Sequence, residues 1–346
     1  MTAYALLLRP AANRVYTKGA AALGVAELSV LGADVLHGAL NAIAPDTIVG
    51  VGYVRFETDA PLTDGRRAVL ANHSSALALF RIEADDRMVP VALEPVAYLD
   101  DDLVTIPRYK GKTNEQFTKL LLNVTLAACT RGTDWPGRRL RVLDPVCGRA
   151  TTLAHALVYG FDADGVEIDR AAYDAFRAFF LTWLKDKRYK HRTDTTPLRR
   201  DGKVTGRRLD VVFARSKDEY RADDVQRVRF ANDDTVTLAE HFPKPVFDLV
   251  VADLPYGVQH TNRARPAART RDPGDLVDAA LDGWVGAMKP GAAIGLSWNT
   301  KTLRRESLVA LLRAHGLDPR RPDDESFRHR VDHAITRDLV VAVKPG

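Results

Sequence analysis

A short strand that ends in a glycine turn and feeds directly into a helix, followed by a second strand that ends in an acid, restricts this chain more than any other feature. Arg141 to Leu143 reads as the first strand and Asp144-Pro145-Val146-Cys147-Gly148 as the turn. Residues 151–159 read as a helix closed by Gly160, residues 165–168 as the second strand and residues 171–184 as a second helix. Apolar strands are expected again at 225–230, 247–251 and 292–297. Strands alternating with helices must pair in parallel through crossovers, which predicts an α/β, Rossmann-like doubly wound sheet.

The first hundred or so residues also alternate short strands and helices, with no catalytic cluster of their own. Residues 4–8 and 47–56 read as strands, 13–23 as a helix ending at Gly24, and 88–99 as one or two strands. Val69, Leu70, His73, Leu77 and Phe80 recur at three- and four-residue steps, which predicts a helix over 66–79. The expected organisation is a smaller N-terminal α+β domain at 1–105 and a larger domain at 106–346. The polar segment at 106–114 opens a helix with Phe117, Leu120, Leu121 and Val124 on one face.

Three places carry chemistry. The Asp144–Gly148 turn presents backbone N–H groups and a helix N-terminus to a carboxylate or phosphate, although a plain structural turn has the same form. In Gly165-Val166-Glu167-Ile168-Asp169, Asp169 is a ready helix N-cap. Glu167 interrupts an apolar strand about 20 residues after the glycine turn, where an acid accepts hydrogen bonds from a ribose. The third is a buried strand that runs into Asp253-Leu254-Pro255-Tyr256-Gly257. Ligands of open parallel sheets bind beyond the carboxyl ends of the strands. An amine on a planar base is a poor nucleophile because its lone pair is delocalised into the ring. The Asp253 carboxylate and the Leu254 carbonyl would grip its two hydrogens and aim the lone pair at an incoming methyl group. Pro255 would fix the backbone and Tyr256 would stack on the base.

Charge adds a partner. The chain of 346 residues carries a net +5, yet Lys185 to Lys217 holds twelve Lys/Arg against four Asp/Glu, a local +8 that leaves −3 elsewhere. Such a stretch suits a polyanion or a solvated insertion. Arg263, Arg265, Arg269 and Arg271 follow the third motif without an intervening acid and suit phosphate contacts. No apolar run is long enough for a membrane span. The two cysteines, Cys129 and Cys147, make neither a disulfide framework nor a four-cysteine zinc site, and point to a reducing, cytoplasmic setting. His73, His155, His241, His260 and His333 show no metal-ligand spacing.

Taken in order, these motifs resemble the class I S-adenosylmethionine-dependent methyltransferases. More narrowly, Asp144–Gly148, Asp253–Gly257 and Lys110-Gly111-Lys112-Thr113-Asn114-Glu115-Gln116-Phe117 are similar to the tRNA guanine-N2 methyltransferases acting at guanosine 10 and their THUMP-associated relatives. The likeness covers most of 106–346 and is weaker before that. It implies S-adenosylmethionine as cofactor, with Asp144, Pro145, Cys147 and Gly148 around its methionine end and Thr113 at its carboxylate. Glu167 would bind the ribose and Asp233 the adenine amine. Asp253, Leu254, Pro255 and Tyr256 would handle the target guanine. It also implies RNA, tRNA above all, as partner through Lys185–Lys217 and Arg263–Arg271, and a small activator subunit as a candidate partner. The family's usual glycine is Ala150 here, no THUMP domain is recognisable, and the basic insertion at about 185–220 is unusual for the family and would replace that RNA grip.

Competing readings share the fold. Adenine-N6 methylation of RNA or DNA uses the same amine chemistry, though Leu254, rather than a second proline, leans towards guanine. A nucleic-acid-binding protein that keeps the fold without turnover draws support from Ala150 alone. A small-molecule or protein methyltransferase leaves the basic stretch unexplained.

Overall fold

The computed structural model describes residues 1–11, 14–109, 111–132, 135, 137–255 and 273–346. Its N-terminal part runs β1 (Thr2–Leu8), α1 (Arg14–Val30), β2 (Asn41–Ile48), β3 (Val51–Thr58), α2 (Asp64–Ala71), β4 (Ala76–Ile82) and β5 (Met88–Val91). These strands form a five-stranded antiparallel sheet in the order β2-β3-β1-β4-β5, and α1 packs on it.

Three local expectations for this part need correction. The strand expected at 47–56 is two strands of a hairpin, broken at Val49 and Gly50, which both take positive φ (51° and 79°). The helix beginning near residue 14 does not end at Gly24. It continues to Val30 with Gly24 inside it, where a Cβ would make ordinary contact with Leu8 (3.4 Å) and His73 (3.5 Å). The helix expected over 66–79 stops at Ala71, where the Asn72 amide donates back to the Ala68 carbonyl (2.8 Å) and ends the turn. Leu77 and Phe80 then belong to β4, so their helical spacing was coincidental.

Between the sheets come α3 (Asp102–Thr105) and α4 (Glu115–Ala128). Asn114 caps α4 by accepting from Phe117 N–H (3.0 Å). Phe117, Leu120, Leu121 and Val124 are buried as their spacing predicts, and so are Leu122 and Leu126 on other faces. A helix apolar all round belongs inside, and α4 lies against the large sheet, α1 and α5 (Thr151–Val158). Buried polar groups tie the parts together. The Glu27 carboxylate of α1 accepts from Ser74 N–H (2.9 Å) and from the Asn123 amide of α4 (2.6 Å), and Asn123 accepts from Tyr159 (2.7 Å). A buried carboxylate is tolerable only with such donors around it.

The large sheet contains β6 (Arg141–Asp144), β7 (Asp162–Val166), β8 (Lys190–Arg200), β9 (Lys203–Ala214), β10 (Gln226–Asn232), β11 (Phe247–Asp253), β12 (Met288–Asn299), β13 (Asp318–Arg320), β14 (His329–Arg330) and β15 (Thr336–Val343). The helices α6 (Arg170–Asp186), α7 (Lys217–Arg221), α8 (Leu238–His241), α9 (Pro273–Ala287) and α10 (Arg305–Ala314) accompany it. The strand order is β13-β15-β12-β11-β6-β7-β10-β9-β8, with β14 paired to β15. The run β12-β11-β6-β7-β10 is parallel, and β15 and β9 are antiparallel to it on either side. Alternate residues serve opposite faces: Val142, Leu249 and Val251 join the core under α4, while Leu143, Val250 and Ala252 join the one containing Trp284 and Trp298. The expected α/β, Rossmann-like doubly wound sheet with a smaller α+β part is therefore what forms, and the strand order reverses between β6 and β11.

The basic stretch is not a loose insertion. It forms the β8–β9 hairpin, paired from Lys190↔Ala214 to Arg200↔Lys203 and closed by Asp201 and Gly202 with φ of 49° and 74°. This Asp-Gly turn is the two-residue connection whose twist matches paired strands. Among the described residues no helix is long and apolar enough to cross a membrane.

Candidate active site

At the reversal between β6 and β11, the carboxyl ends of four strands bring Asp144, Glu167, Asp233 and Asp253 to one edge of the sheet. Asp144 is 3% exposed and accepts from Val146 N–H at 3.1 Å. Its carboxyl is pushed up to about 7, chiefly by burial and also by the nearby Asp253 and Glu167 charges, with the Thr152 hydroxyl and Val146 N–H opposing. Cys147 folds back on β7, its N–H and thiol both facing the Val166 carbonyl (3.1 and 3.3 Å). Burial raises its thiol well above the ordinary value, which suits a packing role rather than a nucleophilic one.

The first two motifs are physically one unit. Gly148 N–H donates to Glu167 Oε2 and Asp169 N–H to Glu167 Oε1, both at 2.7 Å. Asp169 is the N-cap of α6, accepting from Ala171 N–H at 3.0 Å. The loop approaches β7 closely because Gly165 has no side chain; a Cβ would sit 2.7 Å from Cys147 Sγ and from Leu153 Cδ1. Gly148 and Ala150 both take the left-handed conformation, with φ of 54° and 66°. Ala150 thus follows a glycine-like course while bearing a methyl group, at a cost of about 1 kcal/mol. Ala150→Gly is expected to raise the unfolding free energy by roughly 0.5–1 kcal/mol in urea titration; a less stable variant would show that the Ala150 methyl packs well enough to outweigh the strain.

Asp233 lies just past β10, itself 8% exposed. Its Oδ2 accepts from Arg200 (2.8 Å) and lies 2.9 Å from His241 Nε2, and its Oδ1 accepts from Asp234 N–H (2.9 Å). Burial opposes the charge, but His241, the Asp234 N–H and Arg200 outweigh it and hold the carboxyl below its ordinary value. His241, read from sequence as an ordinary histidine, is therefore part of this cluster. Two apolar side chains near these acids are exposed, Ile168 (47%) and Val236 (43%). Their only sequence signal is an apolar residue beside an acid at a strand end.

Asp253 ends β11. Its Oδ2 accepts from the Thr113 hydroxyl at 2.7 Å and from the Arg337 guanidinium at 3.4 Å. Thr113, expected at a cofactor carboxylate, thus sits on the third motif. Arg337 comes from β15, has a side chain only 5% exposed and lies 4.6 Å from the Phe117 ring centroid. His329 packs on the same ring (5.0 Å), and burial holds its imidazole down to about 4, so it is neutral. Sequence reading missed both residues. Leu254 is buried, and its N–H donates to the Ser297 carbonyl at 2.8 Å, which sets the direction in which the chain leaves β11. Pro255 follows, half-buried. Tyr256, Gly257, His260 and the arginines at 263, 265, 269 and 271 lie outside the described residues, as does Lys110.

The hairpin's charges divide by strand face. Arg192, Arg199, Lys203 and Arg207 are exposed, whereas Arg208 pairs with Asp210 (2.7 Å) and Arg200 turns inward to Asp233 and Glu240.

No protein-family model and no curated protein matches the chain. Solved structures do. A 1,6-didemethyltoxoflavin-N1-methyltransferase of Burkholderia thailandensis, with S-adenosylhomocysteine bound, is 16% identical over 61% of this chain and 73% of its own, with a TM-score of 0.36. A candidate RNA methyltransferase of Pyrococcus horikoshii is 14% identical over 68% and 87%, at 0.38. A TehB-like SAM-dependent methyltransferase of Corynebacterium glutamicum is 14% identical over 60% and 80%, at 0.33. At these values the functional reading rests on the residues above.

Proposed function

We propose that the protein transfers a methyl group from S-adenosylmethionine to the exocyclic N2 amine of a guanine in RNA, most specifically tRNA. One observation carries this reading: Asp253, held from two sides by Thr113 and Arg337, stands at a strand end beside the joined Gly148–Glu167 turn. The cofactor supplies an electrophilic methyl group on a cationic sulfur, and a cleft edged by four carboxyl groups suits a cation that also carries amines.

In this reading, the Gly148 turn and Asp144 hold the methionine end. Glu167, which accepts from the Gly148 and Asp169 N–H groups, takes the ribose hydroxyls. Asp233 takes the adenine amine, with Ile168 and Val236 against the ring. Asp253 and the Leu254 carbonyl receive the two hydrogens of the target amine, and Pro255 fixes that carbonyl. As the nitrogen–carbon bond forms, the sulfur–carbon bond breaks and its electron pair stays on sulfur. The surplus proton passes from nitrogen to the Asp253 carboxylate. Positioning and charge do most of the work. Tyr256 is assigned the face of the base. The exposed Arg192, Arg199, Lys203 and Arg207 meet phosphates, with the arginines at 263–271 as further contacts.

The test is transfer of labelled methyl from S-adenosylmethionine to total tRNA, total rRNA and DNA, followed by nucleoside analysis. N2-methylguanosine in tRNA is the expected product. Methylated adenine would keep the mechanism and replace the substrate. Cofactor binding without transfer to any of the three would favour a binding-only protein or a missing activator subunit.

A further inference from the structure

The β8–β9 hairpin does more than display positive charge, because two separate contacts bring it to the end of β10 where Asp233 begins. Gly206 of β9 lies so close to the Asn232 carbonyl that a Cβ would come within 1.9 Å of it. Asn232 in turn donates its amide to the Glu167 and Ile168 carbonyls (2.8 and 3.1 Å), so the hairpin backbone is pressed against the residue that braces the Glu167 turn. Arg200 is the last residue of β8, immediately before the Asp201-Gly202 turn, and its guanidinium spans Asp233 (2.8 Å) and Glu240 (3.0 Å).

From this arrangement we infer that the hairpin forms a wall of the cofactor site and that Arg200 is a positioning residue, holding Asp233 ready to accept a hydrogen bond from the 6-amino group of a purine. The inference rests on the cofactor reading above. Its physical content is discrimination. An ionised carboxylate accepts from a 6-amino group and repels a 6-oxo group. The groups facing Asp233 are Arg200 on β8, His241 on α8 and the Asp234 N–H; Glu240 shares Arg200. Removing the guanidinium takes away the contact that fixes Asp233 Oδ2 from the hairpin side and leaves His241 and the Asp234 N–H to hold the carboxylate. A carboxylate no longer fixed from that side can turn away from a 6-oxo oxygen and so discriminates less. A site built around a polar group rejects the wrong partner far more strongly than a loosely held one.

The experiment is equilibrium binding of S-adenosylhomocysteine and of its analogue with oxygen in place of the 6-amino group, to the wild-type chain, Arg200→Gln and Arg200→Lys. The wild type is expected to prefer the amino form by more than tenfold. Arg200→Gln is expected to cut that preference to about threefold or less, mainly by weakening the amino ligand, and Arg200→Lys to restore most of it. A preference unchanged in Arg200→Gln, or equal weakening of both ligands, overturns the role of Arg200. Failure of the wild type to bind either ligand overturns the cofactor reading itself, which separates the two failures. If Arg200→Gln does not fold, the same ratio measured in Arg200→Met, which keeps the apolar stem without the charge, decides by the same outcomes.

Discussion

Asp253→Ala is expected to lower methyl transfer by a factor of about 10³ while leaving the affinity for S-adenosylhomocysteine within a few-fold of wild type. The size of the effect follows from what the carboxylate does. In the proposed reaction it would grip one amine hydrogen, favour a tetrahedral nitrogen and receive the surplus proton, and all three interactions would strengthen as the new bond forms. The proposed cofactor contacts belong to different groups, Asp144 and the Gly148–Glu167 turn. Alanine also takes a carboxylate partner from the buried Arg337, which costs stability. Asp253→Asn keeps the shape and the Thr113 contact, and is expected to lose nearly as much activity with less change in unfolding midpoint. Single-turnover transfer and calorimetric binding on both variants decide it. Loss of cofactor binding in a folded Asp253 variant would move Asp253 from the substrate to the cofactor.

Glu167→Ala is expected to have the second largest consequence, a rise of about 10² in the dissociation constant for S-adenosylhomocysteine. The carboxylate fastens the Gly148 turn to the end of β7 through two charge-assisted hydrogen bonds of 2.7 Å, besides any it makes to a ribose. Without it the Gly148 N–H loses its partner and the turn loses the brace that sets its position. Glu167→Gln, which keeps one acceptor oxygen, is expected to fall between, near tenfold. Wild-type affinity in Glu167→Ala would remove Glu167 from the site and leave it as a helix-capping brace for Asp169.

The spacing of Val69, Leu70 and His73 is helical, yet Asn72 ends α2 with its own side chain, and two serines follow. Periodicity cannot register a cap that arrives in mid-pattern. The Asp201-Gly202 turn was legible in principle, since an Asp-Gly pair between two β-rich runs is a hairpin signal. It was masked by the density of charge around it, which reads as solvated chain.

Residues 141–169 and 247–257 disclosed the parallel sheet, the glycine turn, the acid after β7 and the acid that ends β11 because each depends on neighbours within a few positions. A turn needs its glycine, a cap its Asp169, a buried strand its run of apolar residues, and those requirements are written locally. What surrounds each acid was decided elsewhere. Arg337 reaches Asp253 across 84 positions because β15 runs antiparallel to β12, Arg200 reaches Asp233 across 33 because the hairpin doubles back on β10, and Thr113 reaches Asp253 across 140. An ion pair depends on distance in space, and only the pairing of distant strands makes that distance short.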